Sequence, residues 1–172
     1  MKSITLGRRT IAEDSLPYII AEIGVNHEGS MTRAKELIEL AKSGGADAAK
    51  FKSYKAEKLA SKDSPAYWDT SKEPATSQFQ LFKRHDSFGE KEYVELAEHC
   101  RKTGIDFLST PFDDDAVDFL YPLVPFYKIA SADITSFPFL RKIARKGKPI
   151  VLSTGSSTLG EIDSAIQEIK NH

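Results

Sequence analysis

Three lysines and two carboxylates sit where short β-branched or aromatic runs turn polar. Glu22 lies in IIAEIGVNHEG, Lys50 and Lys52 in AAKFKSY, Lys128 in YKIASAD with Asp133 just beyond it, and two more such runs end FLSTPFD and VLSTG. Lysine is rarely buried without a partner, and a carboxylate inside an apolar strand is costly unless paired or hydrogen-bonded. Lys50 and Lys52 share one face of their strand, because strand side chains alternate with period two. Two accounts fit these groups. One is structural: ion pairs between the lysines and Glu22 or Asp133. The other is an anion site, in which ammonium groups and nearby hydroxyls supply charge and directed donors, and a carboxylate does acid–base work. Asn26 and His27 follow Glu22; a lone histidine there more often satisfies a local hydrogen bond than holds a metal, so His27 ranks below Glu22.

Something must hold these groups on one side of a scaffold, and the pattern between them supplies it. Five strand-like runs, 18–24, 47–53, 106–112, 126–131 and 149–155, alternate with helical periodicity. Ala34, Leu37, Ile38 and Ala41 fall on one face; so do Tyr93, Leu96, Ala97 and Cys100, then Leu140, Ile143 and Ala144, then Leu159, Ile162, Ile166 and Ile169. Ser87-x-x-Glu90 and Thr158-x-x-Glu161 are expected capping boxes, Gly44, Gly104 and Gly147 expected helix stops, and 113–120 a shorter helix. Strand–helix alternation predicts parallel βαβ units, whose reactive groups gather at the C-terminal strand ends. The stretch 55–88 has little periodicity; its aromatics Tyr67, Trp68, Phe79 and Phe82 predict a packed loop. Five units fit an open doubly wound sheet or the first five units of an eight-unit barrel, and periodicity does not choose between them.

Composition excludes several classes. The 172 residues are 40% hydrophobic and 28% charged with a formal net charge of −1, so no global field recruits nucleic acid or an anionic membrane. No apolar run approaches the roughly 20 residues a bilayer span needs. MKSITLGRRT lacks an apolar core behind its basic residues, and Cys100 is the only cysteine. A cytoplasmic protein is the expectation.

Taken in order, AEIGVNHEG, AAKFKSY, FLSTPFD, YKIASAD and VLSTG resemble the strand ends of the sialic acid (N-acetylneuraminate) synthases and their legionaminic, pseudaminic and spore-coat relatives. Each motif alone is weak; five at five consecutive strand ends are specific, and the resemblance runs from about residue 17 onward. It implies an α/β fold of the (β/α)8 TIM-barrel type, of which residues 1–172 would supply the first five β/α units, with the later units and a C-terminal antifreeze-like domain lying elsewhere. It also implies condensation of phosphoenolpyruvate with an N-acyl amino-sugar aldehyde, N-acetylmannosamine or a 2,4-diacetamido relative, giving a nonulosonic acid and phosphate. Phosphoenolpyruvate contacts are implied at Lys50, Thr110, Lys128 and Ser131, with Ser153 in the same ring. Glu22 becomes a substrate-facing carboxylate and Asp133 an acid–base group, while Asn26 and Lys52 are further substrate contacts. The divalent metal, Mn2+ or Mg2+, would be bound by histidines of later strands, with none of its ligands in this chain; the full-length protein would be a homodimer.

Two departures matter. Asp133 stands in Ser-Ala-Asp where sialic acid synthases carry Glu in Ser-Gly-Glu, and Lys52 stands where many relatives have Gln. The first leans toward a legionaminic or spore-coat relative. Two other readings remain: an inactive fragment or anion-binding scaffold, and another phosphoenolpyruvate-condensing 3-deoxy-ketoacid synthase. Five units alone would leave two open sheet edges, which predicts self-association or poor solubility.

Overall fold

The computed structural model describes residues 3–172. The chain begins with a hairpin that the sequence pattern did not reveal, β1 (Ile4–Leu6) and β2 (Arg9–Ile11), antiparallel with Leu6 opposite Arg9. Gly7 takes the first central position of its two-residue turn at φ 54°, where glycine is favoured in tight hairpins. There follow β3 (Ile20–Gly24), α1 (Met31–Ser43), β4 (Ala48–Ser53), α2 (Ala56–Leu59), α3 (Gln78–His85), α4 (Glu90–Thr103), β5 (Asp106–Pro111), α5 (Asp114–Leu120), β6 (Tyr127–Ile129), α6 (Phe137–Ala144), β7 (Ile150–Leu152) and α7 (Leu159–Lys170). A single 3-10 turn, Ser131–Asp133, follows β6.

Strands β3 to β7 are the five expected from sequence, each within the expected span. They form a parallel three-stranded sheet in the order β3-β4-β5 and a parallel pair β6-β7, with β6 lying beside β5. The fold is α/β with parallel sheet. In β4 the alternation assigns jobs. Phe51 points into the apolar layer under the helices, 5.9 Å from the Phe107 ring, while Lys50 and Lys52 occupy the other face. The register places Glu22 opposite Lys50, and Lys52 opposite Thr110. The core outside the sheet is Ile38 of α1, Tyr93, Leu96 and Cys100 of α4, Val117 and Leu120 of α5, and Leu140 and Ile143 of α6. Burial of several aliphatic side chains at about 1.5–3 kcal/mol each holds the helices down.

Local signals explain most helix ends. Ser30 caps α1 by accepting from the Arg33 N–H, Asp113 caps α5 through Ala116, and the Thr158–Glu161 capping box opens α7. Three expectations need correction. In place of a Ser87–Glu90 box, α4 opens with a one-sided cap in which the Glu92 carboxylate accepts the Gly89 N–H at 2.7 Å. A serine signal two residues early misled because Glu90 and Glu92 both lie in the first turn. The stretch 55–88 carries α2 and α3 and is tied down by Trp68, whose indole N–H donates to the carbonyls of Glu73 and Ala75. α1 stops at Gly44 as expected, with Gly45 following in the left-handed region at φ 85°. On α7 the apolar stripe is only partly used: Ala165 is buried, Leu159 is 85% exposed.

The hairpin closes one end of the sheet. Asp106, at the start of β5, is buried and accepts from the Arg8 N–H at 3.1 Å and the Tyr18 hydroxyl at 2.6 Å, and pairs with the Arg8 guanidinium at 3.2 Å. Asp47, just before β4, takes Arg9 at 2.8 Å and the Ile19 N–H at 2.7 Å, which hold its carboxyl below the usual range. Charge at the N-terminal strand ends is therefore consumed by structure, and the C-terminal ends are left for chemistry.

Candidate active site

At the C-terminal ends the five segments converge. Lys50 is buried and forms an ion pair with Glu22 on the neighbouring strand; its ammonium also lies 3.4 Å from the Thr110 hydroxyl of β5. Glu22 is not buried as its strand position suggested: its side chain is 53% exposed. The carboxylate, in regular register opposite Lys50, pairs with that lysine and meets solvent on its other side. Lys128 donates to the Ser153 hydroxyl at 2.6 Å and to the Ile129 carbonyl at 2.8 Å. Burial lowers its affinity for a proton, the charge of Lys50 lowers it further, and Glu22 partly restores it. Lys50 and Glu22 are thus near enough for their charges to act on Lys128. Each of the two ammonium groups lies beside a hydroxyl, Thr110 for Lys50 and Ser153 for Lys128, an arrangement able to hold an anion.

Ser131 and Asp133 lie on the 3-10 turn beyond β6. Gly155 approaches closely: a Cβ there would stand 3.3 Å from the Ser131 hydroxyl, so the ends of β6 and β7 meet because residue 155 has no side chain. The Asp133 Oδ2 is buried with no hydrogen-bond partner, and burial pushes this carboxyl up to about 6. The ion pair between a lysine and Asp133 that the structural account allowed is absent among the described residues. A carboxyl of this kind exchanges a proton near neutrality, which suits general base or acid work.

His27 is settled by packing. It is buried, stacks on Phe88 at 4.1 Å between centroids, and accepts the Gly29 N–H at Nδ1 over 3.2 Å. Burial, with His85 nearby, lowers its pKa to about 4, so it is a neutral strut between the β3 loop and the loop before α4. Asn26 is exposed beside it. Lys52 is half-buried on the same face as Lys50, with its side chain over Gly24. Two contributors escaped sequence reasoning. The Ile129 carbonyl carries no side-chain signal, and Gly155 acts through an absent Cβ, although the STG segment marked its neighbourhood.

Residues 37–172 match the NeuB family. This chain belongs to the NeuB family. The NeuB chain is 45% identical over 152 residues to the N,N'-diacetyllegionaminic acid synthase of Campylobacter jejuni, covering 86% of the chain and 45% of that relative. It is 38% identical over 154 residues to the human N-acetylneuraminate-9-phosphate synthase, covering 89% and 43% respectively. Among solved structures, the sialic acid synthetase of Leptospira borgpetersenii, in complex with citrate, superposes with TM-score 0.86 at 33% identity, over 99% of this chain and 55% of that one. The chain thus spans about half the length of the relatives it matches. These relatives are named as synthases of sialic-type acids.

The donor set for a divalent cation does not fit within these residues. No group of three or more His, Cys, Asp or Glu side chains among the described residues could hold one. No described helix is long and apolar enough to cross a membrane.

Proposed function

We propose that this chain is the phosphoenolpyruvate-binding portion of a synthase that condenses phosphoenolpyruvate with an N-acyl amino-sugar aldehyde, yielding a nonulosonic acid and phosphate. The supporting observation is that Lys50 and Lys128 lie near enough for their charges to interact, each beside a hydroxyl. In this reading the five strands are the first five units of a (β/α)8 barrel, residues 1–172 are its N-terminal portion, and the later units and antifreeze-like domain belong to the rest of the protein. The protein is cytoplasmic and homodimeric. Mn2+ or Mg2+ is held by residues outside these 172; when bound, it polarises the acceptor's carbonyl.

The residues then divide the work. Lys50 and Lys128 hold the anionic groups, and Thr110, Ser131 and Ser153 direct hydrogen bonds at them. Glu22 and Asn26 face the acceptor. C3 of phosphoenolpyruvate forms a bond to the aldehyde carbon as the aldehyde C=O π bond opens and its oxygen takes up a proton to become a hydroxyl, and water adds to C2. Asp133 takes a proton from that water, and the bond from C2 to the phosphate oxygen breaks, releasing phosphate as the added oxygen gives up its remaining proton and becomes the C2 ketone. An ionised Asp133 is needed, so activity rises with pH through about 6.

Calorimetric titration with phosphoenolpyruvate, at fixed low salt, tests the cradle. Wild type should bind and Lys50→Ala should lose at least tenfold in affinity, with thermal unfolding confirming that both are folded. Equal affinity in the two proteins would sink the assignment. A second reading is an anion-binding module without catalysis. Binding unaccompanied by phosphate release, in the intact protein with manganese and several amino sugars, would support it. Release with a phosphorylated pentose or tetrose alone would instead point to a different 3-deoxy-ketoacid synthase.

A further inference from the structure

The strand that carries Lys50 ends beside a gap in its ladder. In a parallel sheet, successive residues turn their carbonyls to opposite neighbours. The Ser53 carbonyl accepts the Phe112 N–H at 3.1 Å, on the β5 side, so the Lys52 carbonyl points toward β3. There the register shifts between Glu22 and Gly24, and no β3 residue is registered against Lys52. The missing donor comes from a helix: the Tyr93 hydroxyl of α4 donates to the Lys52 carbonyl at 2.7 Å. A strand carbonyl is an obligatory acceptor, so a fixed donor here decides where the end of β4 sits.

Tyr93 is held in that position by packing. It is buried, and its ring lies 6.2 Å from Phe88 and 5.6 Å from Phe119 between centroids. Burial pushes its hydroxyl up to about 12, with the Ser53 hydroxyl acting the other way, so it stays a donor throughout the neutral range. The buried Ser53 and Ser109 hydroxyls bridge β4 to β5 at 2.7 Å. By strand alternation that serine pair lies on the helix-facing side, and Lys50 and Thr110 leave the other face of the same two strand ends. The 3.4 Å between the Lys50 ammonium and the Thr110 hydroxyl therefore depends on where those ends are pinned from behind.

We infer that the Tyr93 hydroxyl, with the Ser53–Ser109 pair, positions the ends of β4 and β5 so that Lys50 and Thr110 are spaced to receive an anion. The inference rests on the proposed function for the identity of that anion. Tyr93 is a positioning residue: it lies behind the strands, and its effect reaches a ligand only through Lys50 and Thr110. A binding group displaced by a fraction of an ångström loses affinity although it is still present.

In the intact protein, phosphoenolpyruvate and inorganic phosphate would be titrated by calorimetry into wild type, Tyr93→Phe, Ser109→Ala and Tyr18→Phe, well below every melting temperature. Tyr93→Phe keeps the packed ring and deletes only the hydroxyl. It should bind phosphoenolpyruvate about fivefold more weakly than wild type, and Ser109→Ala should shift affinity the same way. Tyr18→Phe deletes another phenol hydroxyl, the donor to Asp106 at the opposite end of the strands. It should melt lower than wild type and bind equally well, which separates position from stability. A double-mutant cycle adds a readout that stability does not move: in a Thr110→Val background, Tyr93→Phe should cost less affinity than it does alone. Unchanged affinity in Tyr93→Phe, an equal loss in Tyr18→Phe, or full additivity with Thr110→Val would each overturn the inference. Should Tyr93→Phe fail to fold, Ser109→Ala carries the same comparison, and unchanged affinity there overturns it. If wild type binds phosphate and not phosphoenolpyruvate, the proposed reaction falls, and the same variants titrated with phosphate decide the positioning role. Binding of neither anion overturns both.

Discussion

Asp133, half-buried with one oxygen fully enclosed, and His27, buried, are both titratable, and their opposite shifts have opposite consequences. Asp133 is raised to about 6 by burial. Between its unfolded pKa near 4 and about 6, the folded protein holds a proton that the unfolded chain releases, so its contribution to stability falls as pH rises through that window. Replacement by Asn should remove the penalty. Asp133→Asn is expected to be more stable than wild type by about 1–2 kcal/mol at pH 8, after discounting for solvent screening, and equal to it below pH 4. Urea unfolding at the two pH values checks this; an equal difference at both would refute the burial argument. The same variant should lose turnover, the stability cost of a strained functional group being common at active sites. His27, lowered to about 4, works the other way: it favours folding above pH 6.5, and that contribution is lost as pH falls toward 4.

At the scale of elements, the two ends of the strands do different work. The hairpin is joined to β5 through Asp106, and Gly7 is the residue that permits it. A Cβ at Gly7 would stand 1.8 Å from Asp106 Oδ2, on a backbone already at φ 54°. Gly7→Ala must expel the hairpin or break the Arg8 and Tyr18 contacts, leaving a buried carboxylate short of donors. The expected loss is roughly 2–4 kcal/mol of unfolding free energy, with phosphoenolpyruvate affinity of the folded protein unchanged. A variant as stable as wild type would show that the hairpin carries little of the fold. Lys50→Ala predicts the converse, a large loss of binding at the other end of the same sheet.

For the whole molecule, the described strands leave β3 with only β4 beside it and β7 with only β6. Leu159 at 85% and Ile19 at 52% exposure add apolar surface. Unpaired N–H and C=O groups on such edges template association. Residues 1–172 produced alone are expected to sediment as oligomers above micromolar concentration. A single monomeric species at high concentration would contradict the proposal that these units need the remainder of a barrel to cover their edges.

The order and type of the elements were legible in the chain because the strand and helix periods of β3 to β7, α1, α4 and α6 agree with their flanking residues. The polar strand ends were legible for the same reason: Lys50, Lys128 and Glu22 break runs that are otherwise apolar. Less was visible where the deciding contact is remote in sequence. The hairpin owes its place to Asp106, nearly a hundred residues away, and neither three-residue strand has a period long enough to announce itself. Glu22 lies inside its strand as expected, yet its side chain is half exposed, which the strand position alone did not reveal. Whether each lysine has a partner is decided by register and by neighbouring strands, which sequence spacing does not encode. Residue type and alternation along the chain determined which charges this protein carries and which face they occupy. Tertiary structure alone decided that Lys50 and Lys128 are engaged while Lys52 and Asp133 are left unpaired, because pairing depends on distances between strands that only packing sets.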